Sequence, residues 1–183
     1  MKSYKVKKFE IVEVYKGDKW PDVAISEVDL VLCCFAKSTL ISSSLSTIDF
    51  SEVKKHQTIS SVDLNTNEVV DSEIVKYTTQ VHVNLLKVST ASKSIEITQD
   101  HPVYVNGYGF ASLARMKRTL SAENYSDLIN SIEILTWNSE KSELEYEKLI
   151  GVEVIEGSFE TYSIMELSKG TNFIANGFVT KTY

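Results

Sequence analysis

The sequence predicts an all-β domain, and three observations carry that prediction. Only 2 prolines and 7 glycines occur in 183 residues, while Val, Ile, Thr and Ser are abundant, a balance that favours pleated strands. Apolar residues recur at every second position in many short runs, the period of a half-buried strand. Polar turn clusters separate those runs, and only two stretches read as helical turns.

The elements follow in chain order. Phe9–Tyr15 alternates as a strand, Lys16-Gly17-Asp18 is a turn, and Trp20-Pro21 a break. Val23–Leu32 is extended and runs into the adjacent Cys33 and Cys34. Leu40-Ile41 ends a short strand, followed by a serine loop at Ser42, Ser43, Ser44 and Ser46. Thr58–Val62 is a strand and Asp63–Asn67 a hairpin-like turn. Val69–Tyr77 and Gln80–Thr90 read as two long strands paired with each other. Ile95–Ile97 and Val103–Val105 are strands, and Asn106-Gly107-Tyr108-Gly109 is a tight connection. Ala111–Met116 and Tyr125–Ile129 are the helical turns. Ile132–Trp137 and Glu143–Ile155 resume the strand pattern around the turn Asn138–Lys141, with Glu140, Glu143, Glu145 and Glu147 as one solvated face. Tyr162–Leu167 and Phe173–Thr180 close the chain, with Asn176-Gly177 as a turn.

Composition excludes several classes of function. The length fits one domain with a real core. A net charge of -6 argues against nucleic-acid binding, which needs a basic face. No long uncharged apolar run spans a membrane, and Val6-Lys7-Lys8-Phe9 is no signal-peptide core, so the default compartment is the cytoplasm and the expected state a monomer. The two cysteines are neighbours, and a bridge between neighbours is strained. His56, His82 and His101 stand too far apart in sequence to pair with the cysteines as a zinc site, and no metal or cofactor is expected. His56 and His82 read as surface or strand-face residues; Trp20 and Trp137 read as packing.

The stretch with chemistry in it runs from Ile95 to Val105. Two alternating apolar runs enclose a polar knot, Thr98-Gln99-Asp100-His101. A hydroxyl three residues before an imidazole, both at a strand end, suggests a fixed proton donor in His101, the alternative being a packing or surface histidine, and Pro102 biases His101 toward extended backbone. A second stretch gives it a partner: Cys33-Cys34-Phe35-Ala36-Lys37-Ser38-Thr39-Leu40-Ile41. This resembles the opening of Hint domains, the fold of inteins, bacterial intein-like domains and hedgehog autoprocessing domains, which begin Cys-Phe-Ala-x-Gly-Thr-x-Ile. Thr98-Gln99-Asp100-His101-Pro102 resembles their second motif, Thr-x-x-His-Pro. Gly157–Ile164 followed by Asn172-Phe173-Ile174-Ala175-Asn176-Gly177 resembles the third. All three occur in the family's order, over residues 34–183.

The resemblance implies a flattened horseshoe of two pseudo-symmetric halves, with Cys34, the Thr98/His101 turn and the chain end at its centre. It implies Cys34 as nucleophile, His101 as proton donor and Thr98 as a hydrogen-bond partner of the scissile peptide. Two readings of Asp100 stand, orienting His101 or lying at the surface. The departures are specific. Lys181 and Thr182 stand where splicing inteins end in His-Asn, and Tyr183 falls on the downstream nucleophile. Lys55-His56-Gln57 replaces the family's Gly-Asp, Ser38 replaces a glycine, and Ser163 stands where many members carry aspartate.

The chemistry expected is an N-to-S acyl shift. Cys34 attacks the Cys33 carbonyl through a five-membered ring and leaves a thioester in place of the peptide bond. Thr182 has no carboxamide to cyclise, so the thioester is left to water or to an external thiol or amine, giving N-terminal cleavage without splicing. The partner is then the protein's own flanking polypeptide. The alternative is a degenerate, inactive Hint domain kept as a structural or interaction module. Residues 1–33 are either an upstream flank or strands added to the fold.

Overall fold

Alternating residues do form strands, and more of them than the sequence distinguishes. The computed structural model describes residues 33–44 and 46–182. In chain order the strands and helix are β1 (Phe35–Ala36), β2 (Leu40–Ser42), β3 (Thr47–Asp49), β4 (Thr58–Asp63), β5 (Glu68–Ser89), β6 (Ser94–Ile97), β7 (Pro102–Val105), β8 (Gly109–Ser112), α1 (Leu113–Thr119), β9 (Glu133–Asn138), β10 (Glu143–Lys148), β11 (Gly151–Leu167), β12 (Asn172–Ala175) and β13 (Phe178–Lys181). Two 3-10 turns, Phe50–Glu52 and Tyr125–Leu128, complete the described elements. The strands expected at Phe9–Tyr15 and Val23–Leu32, the turn at Lys16–Asp18, Trp20 and Tyr183 lie outside the described residues.

Two sheets result. One runs β11-β1-β6-β5-β4, and β11 also pairs with β5, so this sheet closes on itself around β1. The other runs β10-β9-β7-β13-β12-β2-β3, with β8 beside β7 and β9 also touching β13. The fold class is all-β, as the alternation predicts.

Three element readings change. Val69–Tyr77 and Gln80–Thr90 are not a pair but a single strand, β5, which pairs with β11 from Ile74 to Ser89. Thr78 and Thr79 lie between them, and β-branched residues continue a strand where a turn would need Gly, Asn or Pro. Glu143–Ile155 divides at Leu149-Ile150 into β10 and the start of β11. Phe173–Thr180 is a hairpin: Asn176 and Gly177 have φ of 46° and 80°, and β12 pairs back onto β13. Glycine suits position 177 because a φ of 80° strains other side chains.

The core is aromatic at its centre. Phe35 packs against Phe50 at 5.4 Å and Phe173 at 5.5 Å between ring centroids, and Phe50 against Tyr162 at 5.8 Å. Phe35, Phe50 and Phe173 are fully buried, and each contributes about 2–3 kcal/mol by burial alone. Phe35 comes from the first motif and Phe173 from the third, so the packing that stabilises the fold also joins the motifs. A smaller cluster of Val62, Leu135, Ile174 and Val179 packs with Trp137, Tyr104 and Phe110. Two asparagines of the third motif act as backbone substitutes. Asn172 accepts from Val62 N at 2.8 Å and donates to Val62 O at 2.9 Å. Asn176 accepts from Leu40 N at 2.7 Å and donates to Ser94 O at 3.0 Å.

The glutamates of β10 are not one solvated face. Glu147 turns inward, its side chain 11% exposed, and binds Lys93. Burial alone would raise its carboxyl, but donors from Lys93, Thr90, Ser92 and Thr136 outweigh that and hold it at about 2. The stabilisation is complete above the ordinary carboxylate range and is lost as pH falls through about 2. Glu147→Gln is expected to cost about 1–3 kcal/mol at neutral pH, measured by urea unfolding. The gap between variant and parent should narrow steadily from pH 4.5 downward; a constant gap would mean that the carboxylate charge is irrelevant.

Candidate active site

β1 is two residues long, and it is held on both edges. Phe35 faces Tyr162 of β11 and Ile97 of β6, and Ala36 faces Thr161. That fixes Cys34, the residue before β1, at the end of β6. Here the chain leaves Ile97 and turns tightly, His101 N donating to Thr98 O at 3.0 Å. Thr98 then grips Cys34 twice. Its backbone N donates to Cys34 O at 2.9 Å, and its hydroxyl accepts from Cys34 N at 3.0 Å. The Cys33 side is held as well: the Cys33 thiol donates to Asp100 O at 3.3 Å. The peptide bond between Cys33 and Cys34 is thus anchored through both residues by one four-residue turn.

His101 is fully buried, its ring 4.0 Å from that of Phe35, and neither ring nitrogen has a hydrogen-bond partner. Burial drives its pKa down to about 3; the Cys33 backbone, whose carbonyl favours the cation, opposes this without a full hydrogen bond. The imidazole is therefore neutral at physiological pH and sits close to the Cys33 carbonyl. No hydrogen bond joins it to Asp100, so the orienting role weighed for Asp100 finds no support; what Asp100 does supply is its backbone carbonyl.

The thiols are separate. Both are free, with different partners. Burial, with the Asp100 charge adding to it, pushes Cys33 up to about 11. Burial pushes Cys34 up to about 12; a hydrogen bond with the Thr161 hydroxyl eases this, and Cys33 adds to the rise. Extending the register Phe35–Tyr162 by one residue puts Ser163 across from Cys34, and the alternation of side chains places Cys34, Thr161 and Ser163 on one face. Ser163 is buried and its hydroxyl has no partner.

Thr161 connects to β5. Its hydroxyl donates to Gln80 O at 3.1 Å and lies 2.7 Å from His82 Nδ1. His82 is indeed on a strand face, but half-buried and bonded into the site. Sequence reasoning missed both residues. Their proximity depends on the pairing of Thr161 with Gln80 across 81 positions, and nothing local to either residue signals it. A cleft of about 260 Å³ lined by His82, Asn84, Thr98, Gln99, Asp100 and Tyr125 opens beside the turn.

The chain end comes near the same place. Thr180 pairs with Val103, so Thr182 is level with His101 in register. Thr182 is tied to Thr171 O by its backbone N at 2.9 Å and its hydroxyl at 3.1 Å. Lys181 is exposed, with its Nζ 6.0 Å over the Phe110 ring. Among the described residues, no three His, Cys, Asp or Glu side chains converge as a metal site, and no helix is long and apolar enough to cross a membrane.

No protein-family model matches the sequence, and no curated protein matches it. Solved structures do. A DnaB intein from Synechocystis superposes with a TM-score of 0.67 at 14% identity, over 82% of this chain and 99% of that one. A bacterial intein-like domain from Clostridium thermocellum gives 0.64 at 14%, over 81% and 98%. A DnaX mini intein from Spirulina platensis gives 0.63 at 16%, over 81% and 99%. The chain therefore has the Hint fold, the fold that inteins and intein-like domains share.

The neutral, unpartnered His101 has a thermodynamic consequence. Its folded-state pKa lies below the unfolded value near 6.5, so its protonation favours the unfolded chain. Stability should be undiminished above about pH 6.5 and should fall toward pH 3, by up to about 1.4 kcal/mol per pH unit from this one group. His101→Leu should flatten that slope and leave stability at pH 7 unchanged or higher, because an unsatisfied buried polar group is removed. Urea titrations at pH 7, 5.5 and 4.5 read it; an identical slope in both proteins would contradict the burial of the ring.

Proposed function

We propose that this chain is a single-turnover self-processing domain that breaks the peptide bond between Cys33 and Cys34. The observation that carries the proposal is the double grip of Thr98 on Cys34 beside the buried His101 ring. Cys34 Sγ attacks the Cys33 carbonyl carbon through a five-membered ring, so proximity replaces collision. A carbon–sulfur bond forms and the carbon–nitrogen bond breaks; the thiol gives up one proton and the freed amine of Cys34 gains one, so the step is proton-neutral. The residues before Cys34 are then held as a thioester.

The leaving nitrogen needs a proton, and its hydrogen bond to the Thr98 hydroxyl fixes its orientation. His101 starts neutral. Negative charge that builds on the Cys33 carbonyl oxygen favours the imidazolium, so the ring takes up a proton from water as the tetrahedral centre forms and delivers it to the nitrogen, matching the one that the thiol releases. Thioester resolution falls to water, or to a thiol or amine entering by the cleft at Thr98 and Asp100. Succinimide formation at position 182 is chemically closed, since Thr182 has no carboxamide. Residues 1–33 are in this reading the acyl half of the substrate, and residues 34–183 the processing domain. The second reading is a degenerate, inactive domain. It is favoured by the Cys34 thiol, which burial holds protonated at neutral pH, and by Lys181, which points to Phe110.

A protein tagged at both ends, incubated with dithiothreitol and weighed, decides between them. The expected result is loss of the N-terminal tag with residues 1–33 and retention of the C-terminal tag. Cys34→Ala should abolish release. His101→Ala should slow it by roughly 10²–10⁴, and Thr98→Ala by less. Release surviving Cys34→Ala would refute the mechanism, and an intact mass after days would establish the degenerate reading.

A further inference from the structure

A thiol held near pKa 12 is a poor nucleophile unless something takes its proton. His101 is on the wrong side to do it: it stacks on Phe35, whose side chain points to the opposite sheet face from Cys34. The face that Cys34 shares leads elsewhere. Thr161 lies on it, bonded to the thiol, and His82 Nδ1 lies 2.7 Å from the Thr161 hydroxyl. Resting on the acyl-shift reading above, we propose that His82, acting through the Thr161 hydroxyl, removes the Cys34 thiol proton.

The step balances. Cys34 S–H gives its proton to Thr161 Oγ1 while Thr161 gives its own hydroxyl proton to His82 Nδ1. The products are a thiolate and an imidazolium. His82 must begin neutral with its proton on Nε2, so that Nδ1 accepts. The alternative state has Thr161 donating to Gln80 O, at 3.1 Å, and accepting from His82 Nδ1–H. A rotation of the Thr161 hydroxyl together with a change of His82 tautomer, its proton moving from Nδ1 to Nε2 by exchange with water in the cleft, converts that state into the relay state. After attack, His82 returns its proton to water in the cleft and the amine gains one by way of His101, so the shift as a whole is proton-neutral.

The surroundings suit a residue that gains positive charge. Asp100 and Tyr125 line the same cleft as His82. The Tyr125 phenol, raised by burial and by Asp100, stays neutral. Phe159 is the cross-strand neighbour of His82, and Val81 and Val83 flank it along β5 without charge. Glu160 points to the opposite face of β11, away from Thr161. Cys34 lies at the far end of the relay. His82 touches no reacting atom, so its role is positional and its effect passes through Thr161.

The test uses the full chain with three variants: His82→Asn, which keeps a polar atom near the Nδ1 position but cannot titrate, Thr161→Val and Thr161→Ser. The cleavage rate with dithiothreitol is followed from pH 5 to 9. His82→Asn and Thr161→Val should each slow cleavage at pH 7 by roughly 10–10²-fold, near the low end for loss of a positioned base. Both should converge on the parent at pH 9, where hydroxide replaces the relay. Thr161→Ser should restore most of the rate lost in Thr161→Val. An unchanged rate and pH profile in His82→Asn would overturn the relay. A second readout does not depend on cleavage. In the uncleaved protein the Cys34 Cβ resonance should show a step within about pH 5–8, the histidine range, that vanishes in His82→Asn. If no variant cleaves but this step is present, the relay stands and the processing reading fails. If the parent shows no such step, the relay fails whatever the cleavage result.

Discussion

The two hydrogen bonds from Thr98 to Cys34 are the constraint on which the site depends. A peptide bond is planar and unreactive, and an adjacent thiol alone does not change that. Here the nitrogen that must leave donates to a hydroxyl at 3.0 Å, and the next carbonyl is held by the backbone of the same threonine at 2.9 Å. Removing either bond frees residue 34 to rotate away from the His101 ring. The turn that carries Thr98 is in turn fixed by β6 and β7, which sit in different sheets, so the grip is a property of the whole fold.

Burial sets the second constraint, and it works against reactivity at rest. It keeps the imidazole of His101 neutral and the thiol of Cys34 protonated. Each group favours the uncharged form until its neighbour changes. A charge on the Cys33 carbonyl oxygen raises the basicity of His101; withdrawal of a proton through Thr161 makes the thiolate. The chemistry is thus coupled, and a slow reaction is its expected character. Ser163 adds to this. Its hydroxyl is buried and unpartnered on the Cys34 face, where an aspartate would supply a charge directly.

Much of this was legible in the sequence, for identifiable reasons. Cys34, Thr98 and His101 each lie in a short local pattern, and their order along the chain carries the fold with it. The strand alternation gave the all-β class because each strand has one buried face. What was not legible depends on long-range pairing. β5 reads as two strands because Thr78 and Thr79 interrupt the apolar alternation, yet β11 pairs with β5 straight through them, from Ile74 to Ser89. Glu147 looks solvated from its charge and spacing, and only the position of Lys93 shows it to be buried. His82 and Thr161 lie far apart in sequence, so neither has a local pattern that points to the other. For Asp100 the sequence leaves two side-chain readings open, and the contact with Cys33 is made by its backbone carbonyl.

The central claim is that the Cys33–Cys34 bond exchanges with a thioester in the intact protein. Hydroxylamine tests it directly, because it captures a thioester far faster than an amide. Incubated at neutral pH and weighed, the full chain should release residues 1–33 carrying a hydroxamate on the Cys33 carboxyl. The remaining fragment should begin with a free amine on Cys34. A chain that stays intact at the Cys33–Cys34 bond, or equal release from a Cys34→Ala chain, would contradict the account.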